Sequence, residues 1–124
     1  MVAKTILVVD DEADTRTFLR TVLEDEGYKV STAGNGKEAL AKLKKEAFDL
    51  ALLDFFMPEM SGRELAETIR ADPKLKGTRL AFLTLAEFGT KGQDELKKLG
   101  SLDYIRKPIK IADFKKRIKK MVHN

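Results

Sequence analysis

The chain has 124 residues, 43% of them hydrophobic and 35% charged, with a net charge of +4 and no cysteine. That length suits one domain with a packed core, and the composition excludes a disordered chain. The missing thiols exclude a disulfide scaffold and thiolate metal sites and fit a reducing, cytoplasmic setting.

TILVV and the other uncharged apolar stretches are too short to cross a bilayer, and no signal-peptide core follows Met1, so no membrane insertion is expected. Charge is split along the chain: seven acids and two bases lie between Asp10 and Glu26, eight bases and one acid between Tyr104 and Lys120. An even basic film over one face would suggest nucleic acid. This split suggests an acidic site in one place and a basic surface elsewhere.

In chain order, TILVV (5–9) reads as a strand and runs into Asp10 and Asp11 of LVVDDE. Phe18, Leu19, Val22 and Leu23 then repeat at helical spacing, and Gly27 suits a left-handed C-terminal cap. YKVST (28–32) alternates and carries Lys29, which predicts an edge strand. GNGK (34–37) lacks the spacing of a phosphate-binding loop and reads as a turn. Leu40 and Leu43, supported by Ala39, Ala47 and Phe48, mark a second helix.

The apolar run FDLALL (48–53) reads as a third strand and stops at Asp54. A third helix carries Leu65 and Ile69, a fourth strand is RLAFLT (79–84), and Leu96 and Leu99 give a weaker fourth helix closed by Gly100. DYIRK (103–107) is the fifth strand, and Ile111, Phe114, Ile118 and Met121 form the last apolar stripe. Pro58, Pro73 and Pro108 fall between elements.

Strict alternation of strand and helix predicts an α/β fold with a doubly wound five-stranded parallel sheet. In such a sheet all strands end along one edge, where ligands bind at the topological switch point. If the strand order is 2-1-3-4-5, Asp10, Asp11 and Asp54 would converge in one crevice, with Thr84 and Lys107 on its far side. Three neighbouring carboxylates repel unless a cation sits among them. Hard oxygen ligands with room for water suit Mg²⁺, and a lysine and a hydroxyl opposite suit a phosphoryl group. One carboxylate could itself be the nucleophile.

Each residue taken singly has a plainer reading. Asp10 to Asp14 could cap the first helix, Asp54 could be a loop carboxylate, and Lys107 a solvated surface lysine. Thr84 alone is an ordinary strand residue and Tyr104 an ordinary half-buried aromatic. Phe55, Phe56 and Met57 are expected to pack around the site. KKRIKK (115–120) is expected to be the wet face of an amphipathic helix.

Four stretches in order, LVVDDE (7–12), LLDFFMPEMSG (52–62), FLT (82–84) and DYIRKP (103–108), give the chain its resemblance to the response-regulator receiver domain of two-component signalling, the CheY-like group. The resemblance spans the whole chain and implies a flavodoxin-like (βα)5 fold. It implies that Asp54 accepts a phosphoryl group from a histidine kinase or phosphotransfer protein. Asp10 and Asp11, with Asp54 and the Phe56 backbone carbonyl, would hold Mg²⁺; Lys107 and Thr84 would contact the phosphoryl oxygens. Tyr104 would be the rotameric switch, and the Lys107–Pro108 bond would be cis.

The output surface implied is the face built from the fourth helix, fifth strand and fifth helix, in a monomer or a phosphorylation-dependent dimer. Residues 1–124 are expected to form a single receiver domain with no output domain. Leu85 stands where the family usually has a small residue and could restrict entry, and Phe56 and Ala86 are apolar at the two positions that tune phosphoryl lifetime in relatives. They keep open a second reading, a receiver-like interaction module binding through its basic C-terminal helix. A turnover phosphotransferase of the haloacid-dehalogenase type would need a second acid two residues after Asp54, where Phe56 stands.

Overall fold

The structure, a computed structural model, describes residues 2–85 and 89–123. Ten elements alternate: β1 (Thr5–Val9), α1 (Ala13–Asp25), β2 (Lys29–Ala33), α2 (Gly36–Lys45), β3 (Leu50–Asp54), α3 (Gly62–Ala71), β4 (Leu80–Thr84), α4 (Thr90–Lys98), β5 (Ser101–Arg106) and α5 (Ile111–Val122). The five strands pair in parallel in the order β2-β1-β3-β4-β5.

The apolar runs explain this order. Ile6 to Val9 and Leu50 to Leu53 are fully buried, as strands covered on both faces must be. Their side chains alternate between two core layers. Leu7, Val9, Ala51 and Leu53 pack with Ala39, Leu43, Leu65, Ile69 and Leu96 of α2, α3 and α4. Ile6, Val8, Leu50 and Leu52 pack with Leu19, Leu23, Phe114 and Ile118 of α1 and α5. The strand bearing Lys29 is an edge, as its alternation predicts.

The remaining differences are local. β5 starts at Ser101 and stops at Arg106, one residue short of Lys107, and carries a bulge: Leu80 pairs with Ser101, but Phe82 pairs with Tyr104. The extra residue is accommodated where the Ser101 hydroxyl donates to the Asp103 carbonyl (2.7 Å) and the Tyr104 N–H donates to Asp103 Oδ1 (2.8 Å). Phe18 and Ile111 are 41% and 45% exposed, so they flank their apolar stripes, and Ala47 lies exposed beyond the end of α2. A helix lying on a sheet buries only one stripe, and residues beside it stay wet.

Gly27 and Gly100 end their helices at φ 92° and 75°, where a Cβ is disfavoured. GNGK is indeed a turn into a helix, with the Asn35 side chain accepting from the Glu38 N–H at 2.8 Å. Among the described residues no helix is long and apolar enough to cross a membrane.

Candidate functional site: an acidic crevice at the carboxyl ends of the strands

Because β1 and β3 are neighbours in register (Val9 opposite Leu53), the residues that follow lie side by side. Carboxylate oxygens of Asp10, Asp11 and Asp54 all come within 4.8 Å of one another. Asp10 is fully buried and Asp54 is 5% exposed, while Asp11 faces solvent. Lys107 reaches across from the end of β5 to lie 2.7 Å from Asp10 Oδ2 and 3.6 Å from Asp54 Oδ1. The four residues singled out at three strand ends therefore meet in one crevice.

Main-chain contacts fix Asp10. Its N–H donates to the Ala33 carbonyl (3.1 Å), its Oδ1 accepts from the Glu12 N–H (3.0 Å), and Arg16 Nη1 donates to its carbonyl (2.7 Å). Asp10 thus does part of the capping work foreseen for this stretch, although Glu12 occupies the N-cap position of α1.

Electrostatics in the crevice are unbalanced. Burial, followed by the charge of Asp10, pushes the Asp54 carboxyl up to about 7; Lys107 pulls it back, and a carboxyl–carboxyl hydrogen bond with Asp11 raises it further. Burial pulls the Lys107 ammonium down, but the Asp10 hydrogen bond and the charges of Asp10, Asp54 and Glu12 outweigh it, so its pKa is raised. One lysine does not neutralise three acids. A cation would relieve that repulsion, and the exposed Asp11 leaves a side open to water, so an all-oxygen donor set of this kind fits Mg²⁺.

Thr84 ends β4 fully buried, and its carbonyl accepts from the Lys107 N–H at 2.8 Å, tying the β4 and β5 tips together. Tyr104 lies half-buried against the α2–α3–α4 core layer, beside Phe82. The Lys107–Pro108 peptide is cis. Phe55 and Met57 pack inward, Phe55 edge-on to Phe82 with ring centroids 5.3 Å apart. Phe56 departs from the packing role expected of it: it is 57% exposed because its neighbours Phe55 and Met57 take the inward positions. Leu85 is 71% exposed, and Ala86 lies outside the described residues.

Two supporting residues escaped the sequence reading. A Cβ on Gly62 would lie 2.2 Å from the Asp54 carbonyl oxygen, so only glycine lets the start of α3 press on the Asp54 main chain, where Gly62 N–H donates to the Phe55 carbonyl (3.0 Å). Its signal was present in the quoted SG pair, but the close approach is tertiary. Arg16, six residues past Asp10, gives no signal without α1's orientation. Glu59 holds φ 68° in the same loop, where Met60 N–H donates to the Pro58 carbonyl (2.8 Å). A cavity of about 790 Å³, lined by Leu43, Phe48, Pro73 and Leu75 among others, lies elsewhere and is lined by none of these acids.

Residues 6–119 match the family described as the response regulator receiver domain. The chain is 43% identical over 105 residues to an uncharacterized 14.6 kDa protein from the sodA1 3′ region of Leptolyngbya boryana, covering 84% of this chain and 79% of that protein. It is 37% identical over 123 residues to the phosphate regulon transcriptional regulatory protein PhoB of Pseudomonas aeruginosa, covering 96% of this chain but only 52% of PhoB. It therefore spans about half the length of that regulator. The chemotaxis protein CheY4 of Vibrio cholerae superposes with a TM-score of 0.89 at 32% identity, covering 97% of this chain and 99% of CheY4. The acidic crevice at a β1/β3 switch point and these likenesses agree: the chain belongs to the response-regulator receiver domain family, the phospho-accepting modules of two-component signalling.

Proposed function

We propose that Asp54 is the phosphoacceptor, served by Lys107 and Thr84, and that its phosphorylation resets the α4-β5-α5 face for a downstream protein. The observation that carries this reading is the convergence of three acids on one lysine at the tips of β1, β3 and β5. The phosphodonor is a histidine kinase or histidine phosphotransfer protein, as for receiver domains generally, in the cytoplasm. The active form is a monomer or a phosphorylation-dependent dimer.

In the transfer step an ionised Asp54 oxygen forms a bond to phosphorus as the bond between phosphorus and the donor nitrogen breaks, and the nitrogen lone pair returns to the donor imidazole. Asp10, Asp11, Asp54 and the Phe56 carbonyl would hold Mg²⁺. When bound, that ion lowers the cost of bringing a phosphoryl dianion against carboxylates. Lys107 supplies the positively charged donor that the new oxygens require, since it already stands 3.6 Å from Asp54. Thr84, at the neighbouring tip, supplies a hydroxyl. Phe56 and Leu85, exposed apolar residues that follow β3 and β4, would limit access of donor and water alike if they overhang the crevice.

Phosphorylation adds about 1.5 to 2 negative charges and three acceptor oxygens. Each charge-assisted hydrogen bond is worth roughly 1.5–3 kcal/mol, and moving an equilibrium from 1:99 to 99:1 takes about 5.5 kcal/mol. Two such contacts would supply most of that, but Lys107 already lies 2.7 Å from Asp10 and 3.6 Å from Asp54 at rest, so its share is only the difference between the two states. Tyr104 shares the Phe82 side of the sheet with Leu96 of α4, so a shift of Thr84 is communicated to that face.

Incubation with acetyl phosphate and Mg²⁺ followed by intact mass should show a gain of about 80 Da, one phosphoryl group, in the native chain and none in Asp54→Ala. A gain of the same size in Asp54→Ala would move the acceptor elsewhere.

A further inference from the structure

Helix α4 buries its apolar side chains unevenly along its length, and two of its polar attachments come from α3. Its buried side chain, Leu96, lies in its second half, with Leu99 partly buried behind it. At the other end the N-cap is Gly89, which has no capping side chain. The first turn holds Lys91, a cation at the positive end of the helix dipole, and Gly92, a poor helix former.

The carbonyl end is clamped instead by one guanidinium. Arg70, in the last turn of α3, donates through Nε to the Leu99 carbonyl (2.7 Å) and through Nη2 to the Gly100 carbonyl (3.3 Å). Its Nη1 donates to the Lys76 and Thr78 carbonyls at 2.8 and 2.6 Å. One cation thereby fastens the end of α4 to the loop that leads into β4. It also sits where the α4 dipole favours positive charge. Lysine, with one nitrogen at the end of a flexible stem, cannot span four carbonyls in two segments.

The second attachment is of another kind. Arg63 Nη2 lies 3.2 Å from Glu95 Oε2, with both side chains more than a third exposed. Each partner has an alternative on its own helix: Glu67 lies 4.0 Å from Arg63 and Lys98 lies 3.8 Å from Glu95. Such a pair exchanges at little cost. Arg63 also follows Gly62, the residue that touches the Asp54 main chain.

We propose that α4 is a lever: Arg70 fixes its carboxyl end as the hinge, and the Arg63–Glu95 pair is a releasable latch that sets the resting angle. Displacement of the β3–α3 junction at Asp54 then swings the amino end of the helix and leaves the Gly100 end in place. The trigger rests on Asp54 being the phosphoacceptor; the hinge and latch do not.

The chain has no cysteine, so a nitroxide can be attached singly at Thr90→Cys or Lys97→Cys without background. In the resting protein, Arg70→Lys and Arg70→Met should each raise the mobility of the label at 97 at least threefold and leave the label at 90 within experimental scatter. Arg63→Gln should do the reverse. With acetyl phosphate and Mg²⁺, the otherwise native protein should respond at 90 alone, and Arg70→Lys at both positions. A label at 97 that ignores both Arg70 variants, or responds to Arg63→Gln, overturns the lever. Intact mass showing no phosphoryl group would defeat the trigger alone, because the resting-state measurements decide the hinge and latch without it.

Discussion

At the crevice, Asp10 and Thr84 are fully buried, Asp54 is nearly so, and three acids cluster beside a lysine that hydrogen-bonds Asp10 and lies 3.6 Å from Asp54. Among the described residues, helix α4 buries one side chain, Leu96, and its N-cap Gly89 offers no capping side chain, whereas its neighbour α3 buries Leu65, Ala66 and Ile69 and starts with a full Ser61/Glu64 capping box. The site is thus tightly determined but electrostatically unrelieved, whereas α4 buries less apolar surface among the described residues. A small charge change at the first can be amplified only because the second has little packing to lose.

The largest effect should come from removing the imbalance at its source. Without metal, folding raises the Asp54 pKa from its ordinary 3.8 to about 7, so the folded chain binds that proton more tightly than the unfolded chain. The Asp54 contribution to stability is then fully present below about pH 4 and is lost as pH rises to about 7, by at most about 4 kcal/mol. The Lys107 ammonium, raised above its ordinary 10.5, titrates outside this window. Urea unfolding in a chelator between pH 4 and 8 should show the decline in the native chain and a nearly flat profile in Asp54→Asn. Mg²⁺ should restore stability to the native chain more than to the variant. Parallel pH profiles would mean that the crevice is not strained by its charges.

Next come two leucines that sharpen the contrast in packing. Leu65 of α3 is fully buried, and Leu65→Ala should cost about 3 kcal/mol of global stability by urea unfolding. Leu96→Ala should cost less, about 1–2 kcal/mol. It should also speed amide exchange through α4 while leaving α3 protected. Equal global losses would show that α4 is as much a part of the core as α3.

Thr84→Ala tests the link between the two regions. The variant should still gain a phosphoryl group, but the phosphorylation-dependent change in α4 should weaken about tenfold or more, the worth of one charge-assisted hydrogen bond of roughly 1.5–3 kcal/mol. Thr84→Ser, which keeps the hydroxyl, should recover it. Full response in Thr84→Ala would send the signal through another route.

How much of this was legible in the sequence depends on what kind of contact each feature needs. The alternation of apolar runs and helical stripes exposes the five strands, and the runs at 6–9 and 50–53 expose the two central ones, because burial on both faces leaves no polar position to disguise them. The strand-end acids follow from the same runs. Gly62 against the Asp54 carbonyl, Arg16 on the Asp10 carbonyl and the Arg70 clamp were not legible, since each joins a side chain or a missing Cβ to backbone that is distant or turned by tertiary packing. The β5 bulge was missed for a related reason: Ser101 and Asp103 absorb the extra residue through their own side-chain bonds, which no periodicity reports. Phe18, Phe56 and Ile111 show the converse error, in which hydrophobicity was taken for burial.

The smallest predicted effect addresses the weak end of α4 directly. Gly89 holds φ −72° and ψ −178°, an extended conformation open to any residue, and a Cβ there meets nothing within 4 Å. Gly89→Asp would supply the missing cap acceptor and place a negative charge at the positive end of the dipole, beside Lys91. The gain should be a few tenths of a kcal/mol from the cap and up to about 1 kcal/mol with the charge. It should appear as two- to fivefold slower exchange in the first turn of α4, with α3 unchanged. If the amino end of α4 is the part that moves, the same substitution should also reduce the response of that turn to phosphorylation, since the helix would resist departure from its resting conformation. A variant that slows exchange in that turn yet responds in full would place the moving part elsewhere on the α4-β5-α5 face.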